Sequence, residues 1–247
     1  MHGRNNRNPV IPPAVNEQKI RSNLQKIKKL ITEVHPDVVT LQEVDEHSVL
    51  SGGFNQFDYI CKGLDYPHRY FSPTCTVILF GKKVFVSGNA ILSKYPLENC
   101  EAVNFNFSFP TERKGFIAAD IVFPDGKTVS VTSVHLVWFD LLRRGSRSHQ
   151  LEIVSRSLEK KKYPLVIAGD MNCDYSGKEK SLNSFVDHFN LKVYESAFEN
   201  LNTSPSWKPK KRIDWILPSQ DIDIVSYKTI PKKVSDHLAV FAILKLN

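Results

Sequence analysis

The feature that most constrains this chain is a set of short apolar runs, each ending in a polar cluster. The clusters are Leu41-Gln42-Glu43, Ser133-Val134-His135, Gly169-Asp170-Met171-Asn172, Arg212-Ile213-Asp214-Trp215-Ile216 and Ser235-Asp236-His237. Short apolar runs bounded by polar residues read as buried strands, and strand ends are where a rigid scaffold hands side chains to a shared site. Taken singly, a carboxylate after a strand is more often a turn former or helix cap, and a lone His135 is more often a satisfied structural histidine. Five such ends in one chain exceed what capping requires.

Between the clusters the pattern alternates. Residues Ile20, Leu24, Ile27, Leu30, Ile31 and Val34 recur at helical spacing with lysines mostly opposite, which predicts an amphipathic helix from Glu17 to Val34. His35-Pro36 closes it, because the residue before a proline is steered out of the α region; residues 37–42 then predict a buried strand that ends at Glu43. Further β-rich runs cover residues 76–80, 90–93, 115–123 and 128–136, the last two joined by Pro124-Asp125-Gly126. Helices are predicted over 146–161 and 181–189, strands over 164–169, 213–217 and 238–244, and a polar loop over 200–212. Helices interspersed among many strands, with no internal repeat, point to an α/β chain with sheet packed on sheet and helices outside.

A chain of 247 residues that is 41% hydrophobic can bury one sizeable core, so a single domain over residues 1–247 is expected, with 1–16 disordered or left over from a loop after a first strand. No apolar run is long enough to span a bilayer, and no apolar stretch follows the polar N-terminus as in a secretory signal; a monomer in the cytoplasm is expected. Cys61, Cys75, Cys100 and Cys173 form no Cys-x-x-Cys and read as reduced thiols. The formal charge of +7 favours an anionic partner such as nucleic acid or an acidic lipid surface, with a merely solvated basic surface as the bland alternative.

The ordered clusters, with Gly88-Asn89-Ala90-Ile91-Leu92-Ser93-Lys94 and the loop from Ser204 to Asp214, resemble the endonuclease/exonuclease/phosphatase (deoxyribonuclease I-like) superfamily over residues 17–247. The resemblance implies a four-layered α/β/β/α sandwich, two mainly antiparallel sheets flanked by helices, and a metal-dependent phosphoric ester hydrolase. By similarity, Glu43 is the principal Mg²⁺ ligand, with Mn²⁺ as a substitute, and Asp236 adds carboxylate to the metal site. Asp170 activates water or assists the leaving group, and Asn172 holds phosphate or nucleophile. His237 contacts the phosphate and is oriented by Asp214, while His135 is a second phosphate donor or a proton donor. Which of Asp170, His135 and His237 moves the proton stays open. Asn89 and Arg113 are substrate contacts by family position.

Two departures bear on these expectations. Family members usually open with a strand ending in a site asparagine, followed closely by His-Gly or Asp-Gly. This chain begins Met1-His2-Gly3-Arg4, so the first strand is expected to be missing, through a late start or a trimmed end in preference to an unusual family member that lacks it. Secondly, Trp207 and Asp214 are separated by Lys208-Pro-Lys-Lys-Arg-Ile, unlike inositol-polyphosphate 5-phosphatases, and Glu43 is followed by Val44-Asp45, unlike exonuclease III-like enzymes.

For substrate, the loop Trp207, Lys208, Lys210, Lys211 and Arg212 joins an aromatic face to cations, suited to stacking on a base and pairing with phosphate. Arg143, Arg144 and Arg147 around Trp138 and Phe139 offer a second cationic wall that equally suits an anionic lipid headgroup. A nuclease-type phosphodiesterase is the leading reading. A phospholipid, sphingolipid or phosphoinositide phosphoesterase comes second, and a non-catalytic binding module third.

Overall fold

The computed structural model describes residues 16–107, 111–139, 147–175 and 180–247. The expected N-terminal segment therefore lies almost wholly outside the described residues, and Arg143 and Arg144 lie outside them too.

Helix α1 (Glu17–Val34) starts where Asn16 caps it, its side chain accepting from the Lys19 amide, and ends where His35 turns left-handed before Pro36. Its apolar stripe, Leu24, Ile27 and Ile31, packs with Ile60 of the short helix α2 (Gln56–Cys61) on Leu41, Ala90 and Leu92. Those three residues belong to a three-stranded sheet made of β1 (Val38–Val44), β2 (His68–Leu79) and β3 (Lys82–Ser93), in the order β1-β3-β2.

The second sheet has five strands: β4 (Leu97–Asn104), β5 (Gly115–Val122), β6 (Thr128–His135), β7 (Leu165–Asp170) and β8 (Asp214–Pro218), hydrogen-bonded in chain order. All its neighbours are antiparallel except β6 and β7, whose parallel pairing requires the crossover through α3 (Arg147–Leu158). Helix α3 and helix α4 (Ser181–His188) cover the outer face, with Leu151, Val154, Leu158, Leu182 and Phe185 packed on Phe116, Val134 and Ile167. The inner face meets the first sheet through Ile91, Ile117 and Ala119. Strand β5 is consequently buried on both faces, which explains its nearly unbroken apolar sequence.

Helices, sheet, sheet and helices form the four layers anticipated from the sequence. The first sheet layer is completed by β9 (Ile222–Ile230) and β10 (Ala239–Leu246), which pair only with each other. Edge strands β1 and β10 border one apolar cavity of about 520 Å³ that also touches Val131 and Val166, so this layer consists of two pieces. Among the described residues no strand precedes α1. None of Cys61, Cys75, Cys100 and Cys173 is in a disulfide among the described residues.

Candidate active site

One end of the sandwich gathers the C-terminal ends of β1, β6 and β7, the N-terminal ends of β5 and β8, and the turn before β10. Register fixes who meets whom: Gly115 lies opposite His135, His135 opposite Asp170, and Asp170 opposite Asp214.

Glu43 reaches this end through a bulge. Leu41 pairs with Ala90 and Val44 with Gly88, so β1 spends one residue more than β3 over this stretch. Glu43 takes up the resulting left-handed backbone, φ 56°. A non-glycine residue there stores strain, and bulges of this kind re-aim side chains beside functional sites. Asn172 is strained in the same way, φ 49°.

The side chains form a connected chain. His135 Nε2 lies 4.0 Å from Glu43 Oε1 and 3.6 Å from Asp170 Oδ2, and His237 Nδ1 lies 3.9 Å from Asp170 Oδ2 and 2.9 Å from Asp214 Oδ2. Asp170, Asp214 and His237 bring ligand atoms within 4.8 Å of one another, a group that could hold a metal ion. Asn172 donates its backbone N–H to Asp170 Oδ1 at 2.8 Å and its side-chain amide to the Leu136 carbonyl at 2.8 Å, so it fixes the Asp170 carboxylate and the turn that carries it.

The electrostatics follow from crowding. Burial, and then the charge of Asp214, push the Asp170 carboxyl up to about 8 against the pull of the His237 cation. Burial opposes the charge on His237, but its hydrogen bond to Asp214 and the neighbouring acids outweigh that and raise it to about 10. His135 is driven well below the usual imidazole range by its burial and then by the Lys114 ammonium, and is neutral. With Nδ1–H committed to Asp214, His237 has its Nε2 left for an anion. Because the folded His237 titrates above the free value of 6.5, its pairing adds stability that is fully present below that pH and is lost as pH rises toward about 10. Asp214→Asn is expected to return the ring to near-neutral titration and to slow turnover about a hundredfold. The ring resonances of His237 followed by NMR against pH are the check; an unchanged titration would refute the pairing.

Lys114 is a site residue that the sequence pattern does not single out. Only 3% exposed, it places Nζ 2.9 Å from Glu43 Oε1 and 2.6 Å from Glu112 Oε1. The two carboxylates outweigh its burial and hold it charged above the usual lysine range. The neighbouring Arg113, expected as the substrate contact, is exposed. The only signal is position: Lys114 immediately precedes Gly115, which faces His135, but nothing in the sequence says which of two adjacent cations turns inward.

Other expected residues are placed differently from their sequence reading. Asn89 is 1% exposed and donates its amide to the Gly115 carbonyl at 2.9 Å, tying β3 to β5 beneath the site. Arg212 is 8% exposed, its guanidinium 3.9 Å from the Trp215 ring centroid and donating to the Tyr194 carbonyl at 2.6 Å, so it is a core cation with no face to a substrate. Asp236 is exposed and stands outside the converging acid–histidine group, because its backbone carbonyl is tied down by the Ser206 N–H at 2.6 Å while His237 beside it turns inward. Trp207 and Lys208 are exposed on the loop that, through Ser206, holds the Ser235–His237 turn.

A family model, described as Endonuclease/Exonuclease/phosphatase family, matches residues 15–237. The chain belongs to that family. Human Nocturnin's catalytic domain, solved with a bound sulfate anion, superposes with a TM-score of 0.72 at 21% identity, over 95% of this chain and 89% of that one. A mannosyl-6-phosphatase from Bacteroides thetaiotaomicron gives 0.70 at 16% identity, over 92% of each chain. Sphingomyelinase C from Streptomyces griseocarneus gives 0.62 at 18% identity, over 90% of this chain and 91% of that one. At such identities the likeness is one of fold. No curated protein sequence matches the chain.

Proposed function

We propose that this family member is a divalent-metal-dependent phosphoesterase that hydrolyses phosphodiesters. The observation that carries the reading is the run of side chains Glu43, His135, Asp170, His237 and Asp214 across one end of the sandwich, with Asp170 pushed to about 8 by its burial and then by the charge of Asp214. Carboxylates gathered at one end, one of them buried until it resists ionising, fit a hard cation, which prefers such oxygen donors. Glu43 and Asp170 would hold Mg²⁺ or Mn²⁺, which when bound neutralises charge on the phosphoryl oxygens.

The remaining work falls to the chain. The cationic His237 donates Nε2–H to a phosphoryl oxygen and stabilises the charge that builds there. Asp170, held by the Asn172 N–H and ionised once a bound cation offsets its burial and the charge of Asp214, would accept a proton from the attacking water. Neutral His135, 4.0 Å from Glu43 Oε1 and 3.6 Å from Asp170 Oδ2, buttresses both carboxylates from one side. The test is hydrolysis of bis(p-nitrophenyl) phosphate, DNA, RNA and mixed phospholipids, each with Mg²⁺ and with chelator, by wild type and Glu43→Gln. Turnover that needs both metal and Glu43 is expected; equal turnover in the variant would sink the assignment.

Nucleic acid leads in the sequence reading, on the strength of Trp207 and the cations after it. With Arg212 turned inward that loop keeps fewer charges. The rim instead carries the exposed side chains of Phe107, Trp138 and Trp207, with Phe139 partly covered by its contact with Trp138. A phosphodiester joined to hydrocarbon suits such a rim better, and a phospholipid or sphingolipid headgroup is therefore placed ahead of nucleic acid.

A further inference from the structure

The β2–β3 hairpin runs past the catalytic end of the sandwich. Strand β1 ends at Val44, opposite Gly88, while β3 extends back another six residues to Lys82, and the turn lies beyond that. At roughly 3.3 Å per residue the arm extends about 20 Å past the level of Glu43. Its lower half is covered: Phe85 and Val86 are buried. The tip is bare, with Ile78 and Leu79 more than half exposed, Phe80 fully exposed and Val77 two-fifths exposed.

This exposure is built into the backbone. Leu79 pairs with Lys82 and Ile78 with Lys83, and the two loop residues Phe80 and Gly81 both have positive φ, 49° and 72°, as a tight hairpin turn requires. Successive strand residues point to opposite faces, so consecutive apolar residues make the ribbon apolar on both sides. A flat protein surface could cover one side only. Hydrocarbon surrounds such a tip on every side. Lys82 and Lys83 stand directly opposite Leu79 and Ile78 on the returning strand; Lys83 reaches Glu46 at 3.3 Å, while Lys82 makes no ion pair among the described residues. Lysines level with the apolar residues bury their stems beside acyl chains and carry their ammonium groups back to anionic headgroups, with Phe80 foremost at the turn. The aromatic residues Phe107, Trp138 and Trp207 stand on separate loops at this same end, and aromatic rings favour the membrane interface.

We propose that the β2–β3 arm anchors the catalytic end of this protein to an anionic phospholipid bilayer, and that the phosphodiester it cleaves is a lipid headgroup ester in that surface. The second half rests on the phosphoesterase reading above; the first does not. The test is co-sedimentation of the full chain with phosphatidylcholine vesicles, with and without phosphatidylglycerol, for wild type, Phe80→Asp, Ile78→Asp and Lys82→Glu. Phe80→Asp is suited to the turn, since aspartate tolerates the left-handed conformation, and hydrolysis of the soluble bis(p-nitrophenyl) phosphate reports that each variant is folded. Wild type is expected to bind the phosphatidylglycerol vesicles. Both aspartate variants should lose at least tenfold in binding, Lys82→Glu several-fold on the anionic vesicles only, and soluble-substrate turnover should stay unchanged. Absence of vesicle binding by wild type, or equal binding by wild type and Phe80→Asp, would overturn the anchor, as would arm-dependent binding of oligonucleotide in place of vesicles. If vesicles are bound but neither they nor the soluble diester are cleaved, the anchor stands and the phosphoesterase reading falls.

Discussion

Gly169→Ala is expected to cost about 4 kcal/mol or more of folding stability and to abolish turnover. Gly169 has φ 131°, a conformation that side chains rarely adopt, and an added Cβ would lie 2.1 Å from the Val134 carbonyl oxygen and 3.0 Å from the Val134 nitrogen. Both atoms belong to the backbone of β6, paired with β7 at that position, so no rotamer change relieves the clash. The two strands would have to separate immediately before His135 and Asp170, where the site depends on their register. Gly126 is the contrast, since it has φ 83° but nothing within 4 Å of an added Cβ. Gly126→Ala should cost only about 1 kcal/mol, with activity retained. Urea denaturation of the two variants beside wild type measures the difference, and equal losses would contradict the packing described at the site.

Lys114→Met should destabilise the chain by about 3 kcal/mol at neutral pH, because it removes the ammonium from between Glu43 and Glu112 and leaves two carboxylates facing each other in a largely buried space. Burial already raises the Glu112 carboxyl, against the pull of Lys114, and the charge of Glu43 adds to the rise. Without the lysine both effects strengthen. Protonating the carboxylates removes the repulsion, so the gap between variant and wild type should narrow as pH falls. Added Mg²⁺ should narrow it as well, since a cation at Glu43 restores some of the lost positive charge. Denaturation midpoints at neutral and acid pH, with and without Mg²⁺, report both; a gap insensitive to pH would mean that Lys114 acts by packing alone.

The sequence is readable where local rules and tertiary demands agree. Helix α1 has an N-cap, an unbroken apolar stripe and a proline behind it, and its bounds coincide with those expected. Strand β7 is almost wholly apolar because both of its faces are covered, and β6, covered likewise, alternates valine with buried serine and threonine. Strand β4, Leu-Glu-Asn-Cys-Glu-Ala-Val-Asn, and strand β9 escape the apolar pattern, since each carries many polar residues and lies at a sheet edge or in a two-stranded ribbon. Strands β2 and β3 are only partly legible: the apolar runs 76–80 and 90–93 read as strand, whereas the inner part of β2, His68 to Cys75, and the first part of β3, Lys82 to Asn89, mix polar residues, Pro73 and Gly88 into the pattern.

At the site, the polar ends of apolar strands are what the sequence reveals, since a residue just past a buried strand has few directions in which to point. Side-chain direction away from those ends is not legible. Arg212 and Lys114 both face inward, one toward an aromatic stack and the other toward two acids, and neither neighbour set is close in sequence. Asp236 and His237 are adjacent, yet only His237 joins the converging group, a choice made by the hydrogen bonds from the Ser206 loop. The bulge that aims Glu43 depends on its register with β3, which no single-strand pattern contains.

The central claim is that Glu43 and Asp170 form a divalent-cation site at the end of this sandwich, and calorimetric titration of Mn²⁺ into wild type, Glu43→Gln and the remote control Gly126→Ala tests it most directly. One ion per chain is expected for wild type and for the control, with affinity reduced at least tenfold in Glu43→Gln. Binding of equal strength in all three proteins, or no binding in wild type, would contradict it.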